Sequence, residues 1–251
     1  MQLLTTQELF NDNIVTIFTD ASSISQENGR YLTSSAVAVF IGYRMIKSCE
    51  FIFKDSTISI AELFAVYQGV KMGYEVAQEY GIKTSFLFSD SKYSIDGLTE
   101  WLGSWVKKSH NGVFVNSNKT EVAHQHIFQS IMYFINNTNY NIRFVKIKGH
   151  VNTEKELCNA INYINKNNYV FRSVRIDYHT VDEISRRNDL VDMISRESIT
   201  GLPKSFISRI PSASNAFPIQ FLGIGFEDYI KYINNIKYPK GVEKENGNIN
   251  Y

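Results

Sequence analysis

Residues 14–20, reading Ile-Val-Thr-Ile-Phe-Thr-Asp, constrain this chain most. Their β-branched and aromatic content is that of a strand covered on both faces. The run closes on a carboxylate, Asp20, and a small polar turn follows with Ala21, Ser22 and Ser23. A charge at the end of a core strand costs stability unless a partner is at hand. A metal ion is such a partner. Glu62, Asp90 and Asp192 also stand where segments start or stop, so the fold to expect is one that gathers all four acids.

The order of segments says how. Residues 34–42 and 45–53 read as two further strands, joined to the first by short links, with Asn28-Gly29 at one turn. That makes an antiparallel meander. Residues 60–80 carry Leu63, Val66, Tyr67, Val70 and Tyr74 at helical spacing, with Glu62 in the first turn and Gly81 as cap. Residues 84–89 form a fourth strand and again stop at an acid, Asp90. Strand, long helix, strand implies a right-handed crossover and parallel pairing. Asp20 and Asp90 then share the rim where open α/β sheets hold their sites.

Further along, 91–97 and 100–108 read as short helices, the second bearing Trp101, Trp105, Lys107 and Lys108. A polar loop over 111–119, a helix over 120–134 and a fifth strand over 141–148 follow, and the strand stops at Gly149-His150. Residues 153–165 open with a capping box, Thr153 with Glu156. Residues 169–178 are extended in character. A helix from about 181 to 196 carries Asn188 and Asp192 one turn apart. After Gly201 the composition turns to Ser, Pro and Gly, with one more helix expected over 226–236 and disorder over the last dozen residues. The domain plan is an extension (1–13), an α/β domain (14–200) with an insertion at about 152–187, and a C-terminal extension (201–251).

Composition bounds the rest. At 43% hydrophobic residues the chain can build a sizeable core, and a net charge of +1 leaves any polyanion site to a local patch. Two cysteines without paired spacing, Cys49 and Cys158, argue against a disulfide scaffold or thiolate zinc site and fit a reducing compartment. No apolar run spans a bilayer and no signal-peptide pattern leads the chain, so a cytoplasmic monomer with no membrane association is the expectation. Four carboxylates without a Cys or His cluster favour a hard cation, magnesium or manganese, over zinc. Two such ions can activate water and neutralise a leaving oxygen on phosphate.

The motifs Thr19-Asp20-Ala21-Ser22, Ala61-Glu62-Leu63, Ser89-Asp90-Ser91-Lys92-Tyr93, Lys148-Gly149-His150 and Asn188-Asp189-Leu190-Val191-Asp192 occur in order on the expected elements. Together they resemble type I ribonuclease H, with its five-stranded mixed sheet flanked by helices. The resemblance implies an endonuclease that hydrolyses the RNA strand of RNA/DNA hybrids with two Mg²⁺ ions, Mn²⁺ substituting, and leaves 5′-phosphate and 3′-hydroxyl. It implies that Asp20, Glu62, Asp90 and Asp192 are the metal ligands, Asp20 bridging both ions, and that His150 assists proton transfer. For substrate contact it implies Ser22, Ser23, Lys92, Asn188 and a basic Trp-containing handle of Trp101, Trp105, Lys107 and Lys108. The Trp pair reads first as partly core, with the handle role a secondary reading carried by Lys107 and Lys108.

The sequence departs from the family pattern in places. Ala21 stands where Gly is usual, and Thr57, Ile58 and Ser59 precede Glu62 where Asn residues are common. A long segment parts His150 from Asp192 where the family has a short one. Asn159 is a rival for the last ligand, but it lacks the charge. His179 is a rival for His150, but it does not follow a strand. The insertion reads either as an extra docked helix and strand or as a shaper of the substrate groove. The rival functions are another nuclease on the same fold, such as a junction resolvase or exonuclease, and a non-catalytic hybrid-binding module.

Overall fold

Alternating apolar residues on a β-rich N-terminal half and amphipathic helices after it assemble into layers around one mixed sheet. The computed structural model describes residues 2–26, 31–109, 111–151, 153–168, 171, 174–210 and 212. The strands are β1 (Gln2–Leu4), β2 (Ile14–Ser25), β3 (Tyr31–Ile41), β4 (Arg44–Lys54), β5 (Thr84–Ser89), β6 (Ile142–Lys146) and β7 (Val174–Ile176). The helices are α1 (Thr6–Leu9), α2 (Ile58–Glu79), α3 (Lys92–Asp96), α4 (Leu102–Lys108), α5 (Gln125–Thr138), α6 (Glu154–Asn167), α7 (Tyr178–Ile199) and α8 (Lys204–Ile207). A π-helical turn, Gly97–Trp101, joins α3 to α4.

The main sheet runs β4-β3-β2-β5-β6. β2 pairs antiparallel with β3, which pairs antiparallel with β4; β5 is parallel to both β2 and β6. The five-stranded mixed sheet is the expected one. Strand periodicity sorts side chains to two layers. Val15, Ile17, Val37 and Val39 face α2, α4 and α5, whereas Phe18, Ala38, Phe40 and Phe88 face α1, α6 and α7. Phe18 stacks on Phe88 with ring centroids 4.8 Å apart. Gly73 lets α2 lie close against β2, since a Cβ there would stand 2.3 Å from Ile17 Cδ1.

Two features close the structure at its margins. Asn168 lies against the edge strand β6: its Oδ1 accepts from Lys146 N and its Nδ2 donates to Lys146 O at 2.7 Å. The amide thereby takes the place of a sixth strand and protects an exposed edge. β1 pairs parallel with β7, which ties the first residues to the segment just before α7. At the end of α7 and beyond it, Ile199 and Ile210 pack with Leu32, and Lys54 Nζ donates to Ser208 O at 3.0 Å.

Some expectations need correction. β2 does not stop at Asp20 but runs on to Ser25, because its pairing with β3 continues to Ser25↔Tyr31 after β5 has let go at Phe18↔Phe88. Residues 91–97 and 100–108 are one helical rod with a π turn rather than two helices. The turn falls at Gly97, where a Cβ would stand 2.5 Å from the Phe128 ring. α5 begins at Gln125, since His124 has a positive φ of 55°. Glu62 stands just past the first turn of α2, whose N-cap is Thr57. The Asn28-Gly29 tip, the 226–236 helix and the last dozen residues lie outside the described residues.

Candidate metal-binding active site

β2 and β5 part company after Phe18↔Phe88, and the gap between them opens at the sheet rim. Asp20, 9% exposed, stands in that gap, with Oδ1 accepting from Ala21 N at 2.7 Å. Asp90 follows the last residue of β5, ahead of α3, whose N-cap is Ser91. The Ser91 hydroxyl donates to Glu62 Oε2 at 2.8 Å and so holds the acid of α2 beside the turn that carries Asp90. Gly149 is the closing piece: a Cβ there would stand 2.1 Å from Asp90 Oδ2, so any larger residue would drive that carboxylate away.

Asp192 comes from the opposite layer. α7 reaches the rim through a serine network: Ser34 Oγ donates to Ser195 O, and Ser22 Oγ meets Ser195 Oγ at 2.8 Å. Its neighbour Ser35 points to the other face and donates to Ala61 O at 2.6 Å, next to Glu62. Adjacent β3 serines thus anchor the two helices that bring Glu62 and Asp192 to Asp20 from either side of the sheet.

The electrostatics record that convergence. Burial, then Asp90, and more weakly Asp192 and Glu62, push the Asp20 carboxyl up to about 8 against the one favourable hydrogen bond from Ala21. Burial raises Glu62, with Asp90 adding to the shift and Ser91 opposing it. Burial also raises Asp90, opposed by His150 and reinforced by Asp192. Asp189 behaves alike, raised by burial with His150 acting against the shift.

The four acids are neighbours without being wrapped around one point. Among the described residues no three His, Cys, Asp or Glu groups form a ready coordination set. The carboxylates are instead turned to local partners, Asp192 to Arg196 Nη2 at 2.6 Å and Glu62 to Ser91. Like charges favour such spread rotamers. The donor set still fits a divalent cation: every donor is a carboxylate oxygen, as a hard ion prefers, and Asp20 is a buried acid beside three others that only positive charge would relieve.

His150 is exposed at the mouth, in a left-handed backbone conformation with φ 54°, within electrostatic reach of Asp90 and Asp189. Ser23 and Lys92 are exposed near the rim, Lys92 lying over the Trp101 ring at 5.2 Å from its centroid. Lys107 and Lys108 are exposed at the end of α4. Two expected substrate contacts are not available. Trp105 is 7% exposed and packs edge-on to Phe128 at 5.2 Å, so it belongs to the core. Asn188 is 2% exposed, because its face of α7 is the one pressed onto the sheet. Sequence reasoning missed Arg187, buried on the same face. It donates to Thr16 Oγ at 3.0 Å and Gly42 O at 2.9 Å and lies over the rings of Phe10 and Phe40. It missed Arg196 as well, although the i,i+4 spacing to Asp192 was a signal.

Known proteins resemble this one in sequence and in fold. The RNase H family model matches residues 12–162. The ribonuclease H of Thermoanaerobacter sp. (strain X514) is 29% identical over 154 residues, which is 60% of this chain and 88% of that protein. That of Caldanaerobacter subterraneus subsp. tengcongensis is 28% identical over 153 residues, 60% of this chain and 90% of its own. The native prototype foamy virus protease-reverse transcriptase superposes with a TM-score of 0.50 over 75% of this chain and 21% of that one; at 16% identity this speaks to the fold alone. The family match ends inside α6, so Asp192 lies beyond it and is placed at the rim by packing alone. The match takes in the whole five-stranded sheet, α2, Asp20, Glu62 and Asp90, and on that ground the chain belongs to the RNase H family, a family of hydrolases.

Proposed function

We propose that this protein is an endoribonuclease that hydrolyses the RNA strand of RNA/DNA hybrids by a two-ion mechanism, leaving 5′-phosphate and 3′-hydroxyl ends. The observation that carries the reading is Asp20, a carboxyl buried among three others and pushed up to about 8, a state that divalent cations would relieve. Its relatives named ribonuclease H support the hydrolytic activity.

Asp20, Glu62, Asp90 and Asp192 would hold the ions, Mg²⁺ with Mn²⁺ as substitute. When bound, the ions would stabilise charge on the phosphate and lower the pKa of a water. Asp20, central in the cluster, would be shared. To serve as a ligand Asp192 turns from Arg196, and Glu62 keeps its orientation from Ser91. His150, solvent-exposed beside Asp90, would deliver a proton at the leaving 3′ oxygen. Lys92, Lys107 and Lys108 would attract phosphates of the DNA strand, with Trp101 packed under Lys92. Ser22 and Ser23 would meet the RNA strand, whose 2′-hydroxyls are read by shape more than by sequence. The free thiols of Cys49 and Cys158 suit a reducing compartment, and action as a cytoplasmic monomer is part of the proposal.

Labelled RNA/DNA hybrid, double-stranded RNA, duplex DNA and a four-way junction, each with and without Mg²⁺, test the reading. The expected result is cleavage of the hybrid's RNA strand alone, and only with Mg²⁺. Cleavage of the junction with the hybrid intact would make this a different nuclease, and hybrid binding without cleavage a binding module.

A further inference from the structure

A cleft of about 440 Å³ runs from the rim acids away toward α6, the helix between His150 and α7. Asp90, Lys148 and His150 line one side, and Asn159 and Tyr163 of α6 line the other. Asp90 therefore belongs both to the acid cluster and to this cleft.

One face of α6 is suited to what such a cleft would carry. Residues 155, 159, 163 and 166 fall within about 80° of one another on a helical wheel at 100° per residue. They are Lys155, Asn159, Tyr163 and Lys166, all exposed except the half-buried Tyr163. The opposite face buries Leu157, Ala160 and Ile164. The acids of the first turn stand off this stripe or are engaged: Glu154 lies on another face, and Glu156 accepts from Thr153 N at 3.0 Å. A polar helix stripe is ordinarily just solvated. This one differs because its central members, Asn159 and Tyr163, line a cleft that reaches Asp90, with Lys155 and Lys166 flanking them on the same face.

The wall is fixed and joined to the rest of the positive surface. Asn168, just after α6, brackets the Lys146 backbone of β6, and Lys146 Nζ lies 5.9 Å from the Tyr163 ring centroid. Lys146 and Lys92 share Asp96 as partner, and Lys92 lies over Trp101. Lys146 is buried with its charge taken up by Asp96, so it supports Tyr163 from below, and the charges that face outward along the groove are Lys107, Lys108 and Lys92 on one side and Lys155 and Lys166 on the other.

We propose that α6 is a second wall of the substrate groove and that its Lys155, Asn159, Tyr163 and Lys166 face holds the sugar-phosphate backbone of the nucleic-acid strand beyond the cleavage point. This deepens the hybrid-nuclease reading and rests on it.

The test uses full-length Asp20→Asn protein, expected to hold hybrid without cutting it, and fluorescence anisotropy from about 50 to 200 mM salt. Lys155→Gln/Lys166→Gln is compared with Lys83→Gln, an exposed lysine at the opposite end of β5. The α6 pair should raise the hybrid dissociation constant roughly tenfold and flatten the log–log salt slope by about one to two, while Lys83→Gln changes neither. Asn159→Ala, at an exposed position, should weaken binding severalfold with the salt slope intact. An α6 pair that matches Lys83→Gln in affinity and slope overturns the role of α6 and leaves the hybrid-nuclease reading standing. Failure of the wild-type protein both to bind and to cut hybrid overturns both.

Discussion

α6 and α7 both come after the last strand of the main sheet, pack on the same face of it and touch each other, yet only α7 brings an acid to the rim. α6 comes first along the chain and docks at the edge strand β6 with three buried apolar residues, Leu157, Ala160 and Ile164. α7 lies across β2 and β3 at the sheet's centre and buries polar groups, among them Thr180, Arg187 and Ser195. Each of these is tied: Thr180 to Thr6, Arg187 to Thr16 and Gly42, Ser195 to Ser22. Directional bonds set one rotation and one height of α7 on the strands, whereas an apolar stripe tolerates sliding. The helix that must place a carboxylate accurately is therefore the one with the polar seam. The neighbour that offers only a wall rests mainly on hydrophobic contact and is pinned at its C-terminal end by Asn165 and Asn168.

The largest expected effect is on stability without metal. Asp20 would ionise near 3.8 in an unfolded chain and near 8 in the folded one. Between those values the native state holds a proton that the unfolded state has lost, so stability falls as pH rises and levels off above about 8. The loss should reach several kcal/mol, at most roughly 6, in urea melts with chelator. Mg²⁺ should restore much of it at pH 8 and little at pH 5. Asp192→Asn removes one of the repelling charges and should flatten the pH trend, whereas Asn159→Ala should leave it alone.

Next comes the seam itself. Arg187→Ala strips three hydrogen bonds and leaves Glu183 only the longer, exposed contact with Arg186, and should cost about 3–5 kcal/mol in the same melts. Asn168→Ala, which uncaps the edge strand beside α6, should cost about 1–2 kcal/mol. Equal losses would erase the distinction between the two helices. Last comes an effect read in rate rather than in stability: Asp192→Asn should lower kcat on hybrid about a hundredfold. If Asn159→Ala lowered kcat as far, α6 rather than α7 would be completing the acid cluster.

The sequence was most legible where one strand or helix decides its own ends. Residues 84–89 are a strand because Thr84, Phe86 and Phe88 alternate with Ser85, Leu87 and Ser89 between a turn and a cap, and the structure has those bounds. The Thr153–Glu156 capping box is likewise a local matter and is formed as expected. Legibility fell where a distant partner decides. The extension of β2 past Asp20 depends on Tyr31, and β1 exists only because Val174–Ile176 supply its hydrogen bonds. Asn188 reads as a surface residue from its chemistry, and the Trp pair does not say which ring is buried; the rotation of α4 and α7 against their neighbours turns Trp105 and Asn188 inward. The clustering of Asp20, Glu62 and Asp90 could be anticipated from topology, since a right-handed crossover puts both strand ends on one rim. The Ser34 and Ser35 anchors could not, since serines in a strand carry no mark of which helix they will hold.

The pairing of β1 with β7 has a consequence for the order of synthesis. A ribosome makes Gln2–Leu4 long before Val174–Ile176, so the leading strand has nothing to pair with until β2 to β6 have already emerged. The contacts of Leu4 and Thr6 with Thr180 at the start of α7 must wait as long, and so must the arrival of Asp192, which the same helix carries.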